Sequence, residues 1–393
     1  MSESSPNPIG VSSRQDPVLH APVMVAVNLL WCVPGAVGGS EEYLVRQLLG
    51  LADQPPHFVP TLYCLPPFVD AHPELATLYP MVTAGITGNA RPRRVLAENT
   101  WLARRTRSAD LVHHGGGTIP AIGNGPIVLT IHDLQYLTLP QYLTATKRRY
   151  LKTAIPRSIR RSSVVAVPTD YVRSVVVDRF AKDPASVVVV PHGVEPELGT
   201  SAPSPFDLRR DYGLGAGPVL VFPAITHPHK GHRFLLEVMA RHWTDPDLRL
   251  VLLGGAGAAN ADVVAAIAEL GLERRVVRPG RVPSAHRDGL IAMAEALVFP
   301  SEYEGFGAPV VEAMALGTPV ICSDQPALAE VVGDAGVVLP RREDAWAEAL
   351  HTVAARRTQL IAAGRERARS FTAARSGAAI AAAYDLAVER GTP

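Results

Sequence analysis

The stretch Phe299-Pro300-Ser301-Glu302-Tyr303-Glu304-Gly305-Phe306-Gly307-Ala308-Pro309-Val310-Val311-Glu312-Ala313-Met314-Ala315-Leu316-Gly317 decides how this chain folds. An apolar run over 296–299 has strand length and ends near Ser301. A glycine-flanked loop follows, and Pro309 suits the first turn of a helix, where its missing N–H costs nothing. Gly317 is a natural stop for that helix. The pattern puts Glu304 in the loop and Glu312 in the early helix. Backbone N–H groups of the loop and helix N-terminus then face the crevice at the strand's carboxyl end. Free N–H groups take phosphate oxygens, and carboxylates accept hydrogen bonds from sugar and ribose hydroxyls, so the segment suits a nucleotide sugar.

Outward from this stretch, short apolar runs recur at 23–30, 126–131, 163–167, 186–190, 218–222, 248–253 and 319–322, with helical spacing between most of them. Nearly continuous apolar runs of this length mark strands buried on both faces, and their alternation with helices marks a parallel, doubly wound sheet. The pattern starts twice, at Val23 and at Pro218, which predicts an α/β chain of two Rossmann-like domains. Between them, 195–217 carries Pro196, Pro203, Pro205 and several glycines with weak periodicity, as a linker would. The expected division is a solvated tail over 1–20, a first domain over 21–200, a second over 201–372 and a closing helix over 373–393.

Composition narrows the function classes. The 393 residues are 47% hydrophobic and 19% charged, which excludes disordered and fibrous chains. A net charge of +1 excludes a chain built mainly to coat nucleic acid. Cys32, Cys64 and Cys322 form no C-x-x-C, so neither a redox pair nor a zinc knuckle is expected, and a reducing cytoplasm fits. No signal-peptide core and no 18-residue apolar run is present, so a cytoplasmic protein is expected.

Only four of the 38 basic residues are Lys, and one of these, Lys230 in Pro228-His229-Lys230-Gly231, follows the first strand of the second domain. A lysine at such a crossover is placed to neutralise a diphosphate as a point charge. His227, His229 and His232 form H-x-H-x-x-H, but no carboxylate or cysteine nearby completes a metal site. Asp245-Pro246-Asp247 reads as a proline-centred turn rather than a metal-binding D-x-D. In the first domain, Gly38 and Gly39 let backbone approach a phosphate or sugar without a Cβ in the way. His132 ends a strand and faces the same interdomain crevice if the sheet is parallel, and His113 and His114 end another.

Glu304 and Glu312 match the E-x7-E signature, and the surrounding EGFG-x-P-x-x-E-A-M-A-x-G-x-P-V resembles the family 4 retaining glycosyltransferases of the GT-B fold. The resemblance runs from about Val23 to Ala383. It implies two domains facing a cleft, with the closing helix crossing back to the first. It implies a hexose moved from a nucleoside diphosphate sugar to a hydroxyl of a glycan, lipid or small molecule, with no cofactor and no metal. Many bacterial relatives use GDP-mannose. By the same resemblance Glu312 holds the ribose and Glu304 the sugar hydroxyls, while backbone around Gly305, Phe306 and Gly307 and the Lys230 side chain hold the diphosphate. The Gly38-Gly39 loop reaches the donor phosphates, and His132 hydrogen-bonds the sugar or the reacting oxygens. His113 and His114 line the acceptor side. Members usually carry a second basic residue upstream of the lysine. Here that position lacks one, and His229 or Arg281 is the expected substitute, with Val282 beside Arg281 also expected on the donor. Other outcomes on this fold are a sugar phosphorylase, a nucleotide-sugar epimerase or a non-catalytic partner subunit.

From Arg91 to Arg161 there are 13 basic residues against three acidic ones, all in the first domain. Relatives that glycosylate lipids carry such a patch, so peripheral contact with an anionic membrane on its cytoplasmic face is a further expectation. Nucleic acid is not expected, because no recognition motif accompanies the charge.

Overall fold

The computed structural model describes residues 21–123 and 125–391. The expected tail over 1–20 lies outside them. Seven strands form the first sheet: β1 (Val23–Asn28), β2 (Phe58–Cys64), β3 (Met81–Thr83), β4 (Leu111–His114), β5 (Ile127–Thr130), β6 (Val164–Val167) and β7 (Val187–Val189). Six form the second: β8 (Val219–Pro223), β9 (Arg249–Leu253), β10 (Val276–Gly280), β11 (Ala296–Phe299), β12 (Val320–Ser323) and β13 (Val337–Leu339). The orders are β3-β2-β1-β4-β5-β6-β7 and β10-β9-β8-β11-β12-β13, and each pairing is parallel. Two doubly wound α/β domains are thus present, as the twice-started pattern predicts. Strands β4, β5, β6, β11 and β12 are buried along their whole length because helices cover both faces.

Strand order reverses between β1 and β4 in the first sheet and between β8 and β11 in the second. Ligands of open parallel sheets bind outside the carboxyl ends at such points. The glycine loop follows β1, the lysine loop follows β8, and the Glu304 loop follows β11.

The C-terminal helix, Ala373–Gly391, closes the molecule onto the first domain. Ile380, Ala383, Tyr384 and Ala387 are buried in that domain's core. Its contact is with the helix Gly39–Ala52, where a Cβ on Gly377 would stand 2.0 Å from the Gly50 carbonyl carbon. Only glycine lets the two helices cross that closely. The chain passes between the domains twice, and the passages bond to each other: Val194 N–H donates to the Phe371 carbonyl at 2.9 Å and Ala373 N–H to that of Val194 at 3.1 Å.

Candidate active site

On the second domain's side of the cleft, Gly307 is left-handed (φ 93°) and starts the helix Ala308–Leu316, with Pro309 in its first turn and Gly317 (φ 81°) at its end. This is the strand–loop–helix read from the sequence. Lys230 Nζ donates to Glu304 Oε1 at 2.7 Å, and their side chains are 19% and 11% exposed. Gln325 ties this loop down, its Nε2 donating to the Glu304 carbonyl at 3.2 Å.

Gly305 is where the domains touch. A Cβ there would lie 2.0 Å from the His132 carbonyl oxygen, and Thr169 Oγ1 donates to the Gly305 carbonyl at 3.0 Å. Leu134 N–H donates to Tyr303 Oη at 3.0 Å across the same boundary. Phe306 is buried and stacks on His192 of the passage between domains, with ring centroids 4.5 Å apart.

Glu312 is only 2% exposed. Its Oε1 accepts from Arg46 Nη1 at 2.8 Å, and Arg287 Nη2 stands 4.0 Å away. Burial pushes the carboxyl up, but Arg46 and then Arg287 more than offset it and leave it below the ordinary value.

Across the cleft, Gly38 (φ 66°) faces Ile225, whose Cδ1 would be 3.8 Å from an added Cβ, and Gly39 opens the helix Gly39–Ala52 with open space around it. Arg281 is exposed and reaches over to donate to the Gly35 carbonyl, while Val282 packs against the second domain's core. His229, the other candidate for the second charge, is pushed down to about 3 by burial, with Lys230, His227 and His232 adding to the effect. It is neutral at pH 7, which leaves Arg281 as the cation of the two. His232 turns into the core against Phe222, so the H-x-H-x-x-H histidines do not converge.

His132 has its tautomer fixed by its surroundings. A carbonyl can only accept, so Nε2 must donate to the Gly115 carbonyl at 2.7 Å. Burial lowers its pKa, the ring is neutral, and Nδ1 therefore carries a lone pair. That Nδ1 is buried without a partner, as is Trp31 Nε1. Such groups are normally satisfied, and these two leave one acceptor and one donor unused.

The acceptor-side expectation needs correction at His113. It is 1% exposed, and both ring nitrogens are occupied, Nδ1 by Tyr384 Oη at 2.9 Å and Nε2 by Thr130 Oγ1 at 2.8 Å. It joins the C-terminal helix to the first sheet. His114 is likewise buried, 3.1 Å from Asn28 Nδ2, and burial pushes it down to about 3. The glycines after it make room for Trp31: a Cβ on Gly116 would meet the indole at 2.5 Å.

Sequence reasoning missed Arg46, Arg287, Arg341, Trp31 and His192. Arg341 bonds Glu302 beside the lysine loop, at 2.5 Å, and Tyr142 of the first domain donates to the other oxygen of Glu302 at 3.1 Å.

Two doubly wound domains meeting at their switch points, with an E-x7-E helix on one side and a glycine loop on the other, define the GT-B class. Residues 37–198 match Glycosyltransferase Family 4, and residues 207–370 match Glycosyl transferases group 1. The chain belongs to this family of glycosyltransferases. It is 28% identical over 250 residues to O-antigen chain mannosyltransferase B of Escherichia coli, covering 63% of this chain and 64% of the relative. It is 32% identical over 254 residues to a D-inositol 3-phosphate glycosyltransferase of Kineococcus radiotolerans, covering 57% of this chain and 58% of the relative. The alignments thus take in less than two thirds of either relative. Among solved structures, HepE of Anabaena in complex with UDP and glucose superposes with a TM-score of 0.73 at 21% identity, covering 92% of this chain and 99% of that one.

Proposed function

We propose that the protein is a retaining, metal-independent hexosyltransferase that uses a nucleoside diphosphate sugar, with GDP-mannose the leading candidate, and a hydroxyl acceptor. One observation carries the reading: the Lys230–Glu304 pair lies at the second sheet's switch point, beside the Gly305 contact with His132. The likeness to a mannosyltransferase supports a mannosyl donor, and the UDP complex of HepE supports a nucleotide in this cleft.

In this reading the diphosphate draws the Lys230 ammonium to itself. Glu304 is then released to accept from the sugar hydroxyls, Glu312 takes the ribose, and Arg281 adds charge from the cleft edge. The bond between the anomeric carbon and the phosphate oxygen breaks as the acceptor oxygen attacks from the same face. The acceptor's proton passes to the departing phosphate oxygen. His132 Nδ1 accepts from a sugar hydroxyl and does not remove a proton, since the lowered pKa makes it a weak base. Closure excludes water from the cationic sugar. The acceptor comes in over the basic first domain, where an open basin of about 560 Å³ is lined by Arg149, Tyr150 and Thr153 among others.

A thermal-shift panel of GDP, UDP, dTDP and ADP, without metal, tests the donor site. Ligand at about 100 times its Kd adds about 2.7 kcal/mol of stability. A shift with one nucleotide that vanishes in Glu312→Ala is expected, and no shift with any of the four overturns the reading. Product anomers followed by NMR, in a reaction run with EDTA, test retention and metal independence.

A further inference from the structure

Arg46 lies on the helix Gly39–Ala52 of the first domain, yet it is buried and bonds to two other parts of the molecule. Its Nε donates to Glu195 Oε1 at 2.7 Å, on the passage between domains, and its Nη1 to Glu312 Oε1 at 2.8 Å, in the second domain. A second arginine bridges the same boundary in reverse: Arg287, of the second domain's helix Ser284–Ala292, bonds Glu42 of the first at 2.9 Å and its own neighbour Asp288 at 3.0 Å. Glu312 Oε2 has no bonded partner among the described residues.

We propose that Arg46 is a positioning residue for the donor: by fixing Glu312 Oε1 it leaves Oε2 for the ribose hydroxyls, and it does so only when the two domains are together. The inference rests on the ribose reading of Glu312. It gives closure a direct route to donor affinity, because the cation that orients the ribose carboxylate belongs to the opposite domain. The groups facing Glu312 are Arg46 and Glu42 from one helix, Glu195 through Arg46, and Arg287 and Asp288 from the other. Without Arg46 the carboxyl keeps its burial and its acidic neighbours and has only Arg287 to balance them. It then takes up a proton closer to neutral pH and loses its capacity to accept.

The test is binding of GDP and of UDP by titration calorimetry, from about pH 6 to about pH 8.5, to wild type, R46M, E312Q, the double variant and R46K. Charge-assisted bonds of this kind are each worth about 10- to 100-fold in affinity. R46M is expected to bind the preferred nucleotide about 10- to 100-fold more weakly at the acid end. It should recover as pH rises, over a range in which wild type is flat. Added to E312Q, R46M should cost nothing more. Effects that multiply in the double variant, or an R46M profile parallel to wild type, overturn the inference while leaving the ribose reading intact. E312Q binding as well as wild type overturns both, as does a wild type that binds no nucleotide of the thermal-shift panel. If R46M does not fold, R46K is read instead, since a lysine cannot make both bonds; wild-type affinity in R46K overturns the role.

Discussion

Lys230 is one of only four lysines, and it sits 2.7 Å from the Glu304 carboxylate with both side chains largely out of water. In the proposed reaction the diphosphate draws this ammonium from Glu304 as the donor binds, so the cation is in place before charge develops on the leaving group. Lys230→Ala is expected to lower kcat by about 10²–10³-fold, measured at saturating donor; a near-normal kcat would remove its role. The residue was legible in the sequence because lysine is rare in this chain and the strand-to-helix crossover was visible around it. Arg46 and Arg287 were not legible. Arginine is the ordinary cation here, and Arg46 meets Glu312 from 266 residues away. Nothing local marks such a partner. His113 misled for a related reason: a strand-end histidine reads as cleft-facing, but Tyr384 of a helix beginning 260 residues later claims its nitrogen.

The elements show where pattern reading loses force. The apolar runs correspond to interior strands and, at 186–190, to the edge strand β7, whereas β2, β3, β10 and β13 have no such run. β3 and β13 have three residues each at sheet edges, too few for a pattern, and β2 and β10 contain Pro60 and Pro279. Pro60 is tolerated because β2 pairs with β3 only from Leu62 onward. The glycine loop after β1 is held by an unread clamp: His72 Nε2 bonds Glu41 Oε1 at 2.9 Å, and Glu41 Oε2 accepts from Gly35 N–H at 2.8 Å. Burial lowers the His72 pKa, but its bonds to Glu41 and Glu74 outweigh this and leave it raised above 6.5. A raised folded pKa gives stability that is complete below the unfolded value and lost as pH climbs through the folded one. The Tm advantage of wild type over His72→Gln should therefore be largest near about pH 5 and shrink by about pH 8. An advantage independent of pH would show that the imidazolium is not what holds the loop. The helix crossing at Gly50 and Gly377 was also invisible, since the sequence does not say where the last helix docks. Gly377→Ala should cost about 1–3 kcal/mol in denaturant unfolding, because the crossing is backbone on backbone. An unchanged midpoint would mean the helix docks elsewhere.

At the scale of the whole molecule, the charge is as unevenly placed as the sequence implied. The helices Arg91–Ala97 and Ala145–Arg161 come together through Arg91, whose guanidinium lies 4.6 Å from the Tyr150 ring centroid. Arg93, Arg148 and Lys152 are exposed on them, and Leu96 on the first of these helices is 63% exposed. Among the described residues no helix is long and apolar enough to cross a membrane. If this face meets an anionic membrane, head groups attract each cation by about 1 kcal/mol and Leu96 enters the interface. If the acceptor is lipid-linked, this face brings the basin beside Tyr150 to it while the nucleotide site stays on the aqueous side. Vesicles containing phosphatidylglycerol should then sediment the protein and release it as salt rises, whereas neutral vesicles should not. Replacing Arg93, Arg148 and Lys152 together by Gln should weaken vesicle binding by about two orders of magnitude, the sum of three such attractions. Transfer to a water-soluble acceptor should be unaffected. Equal sedimentation with neutral and anionic vesicles, or none with either, would make the basic face an ordinary solvated surface and move the acceptor class to soluble sugars.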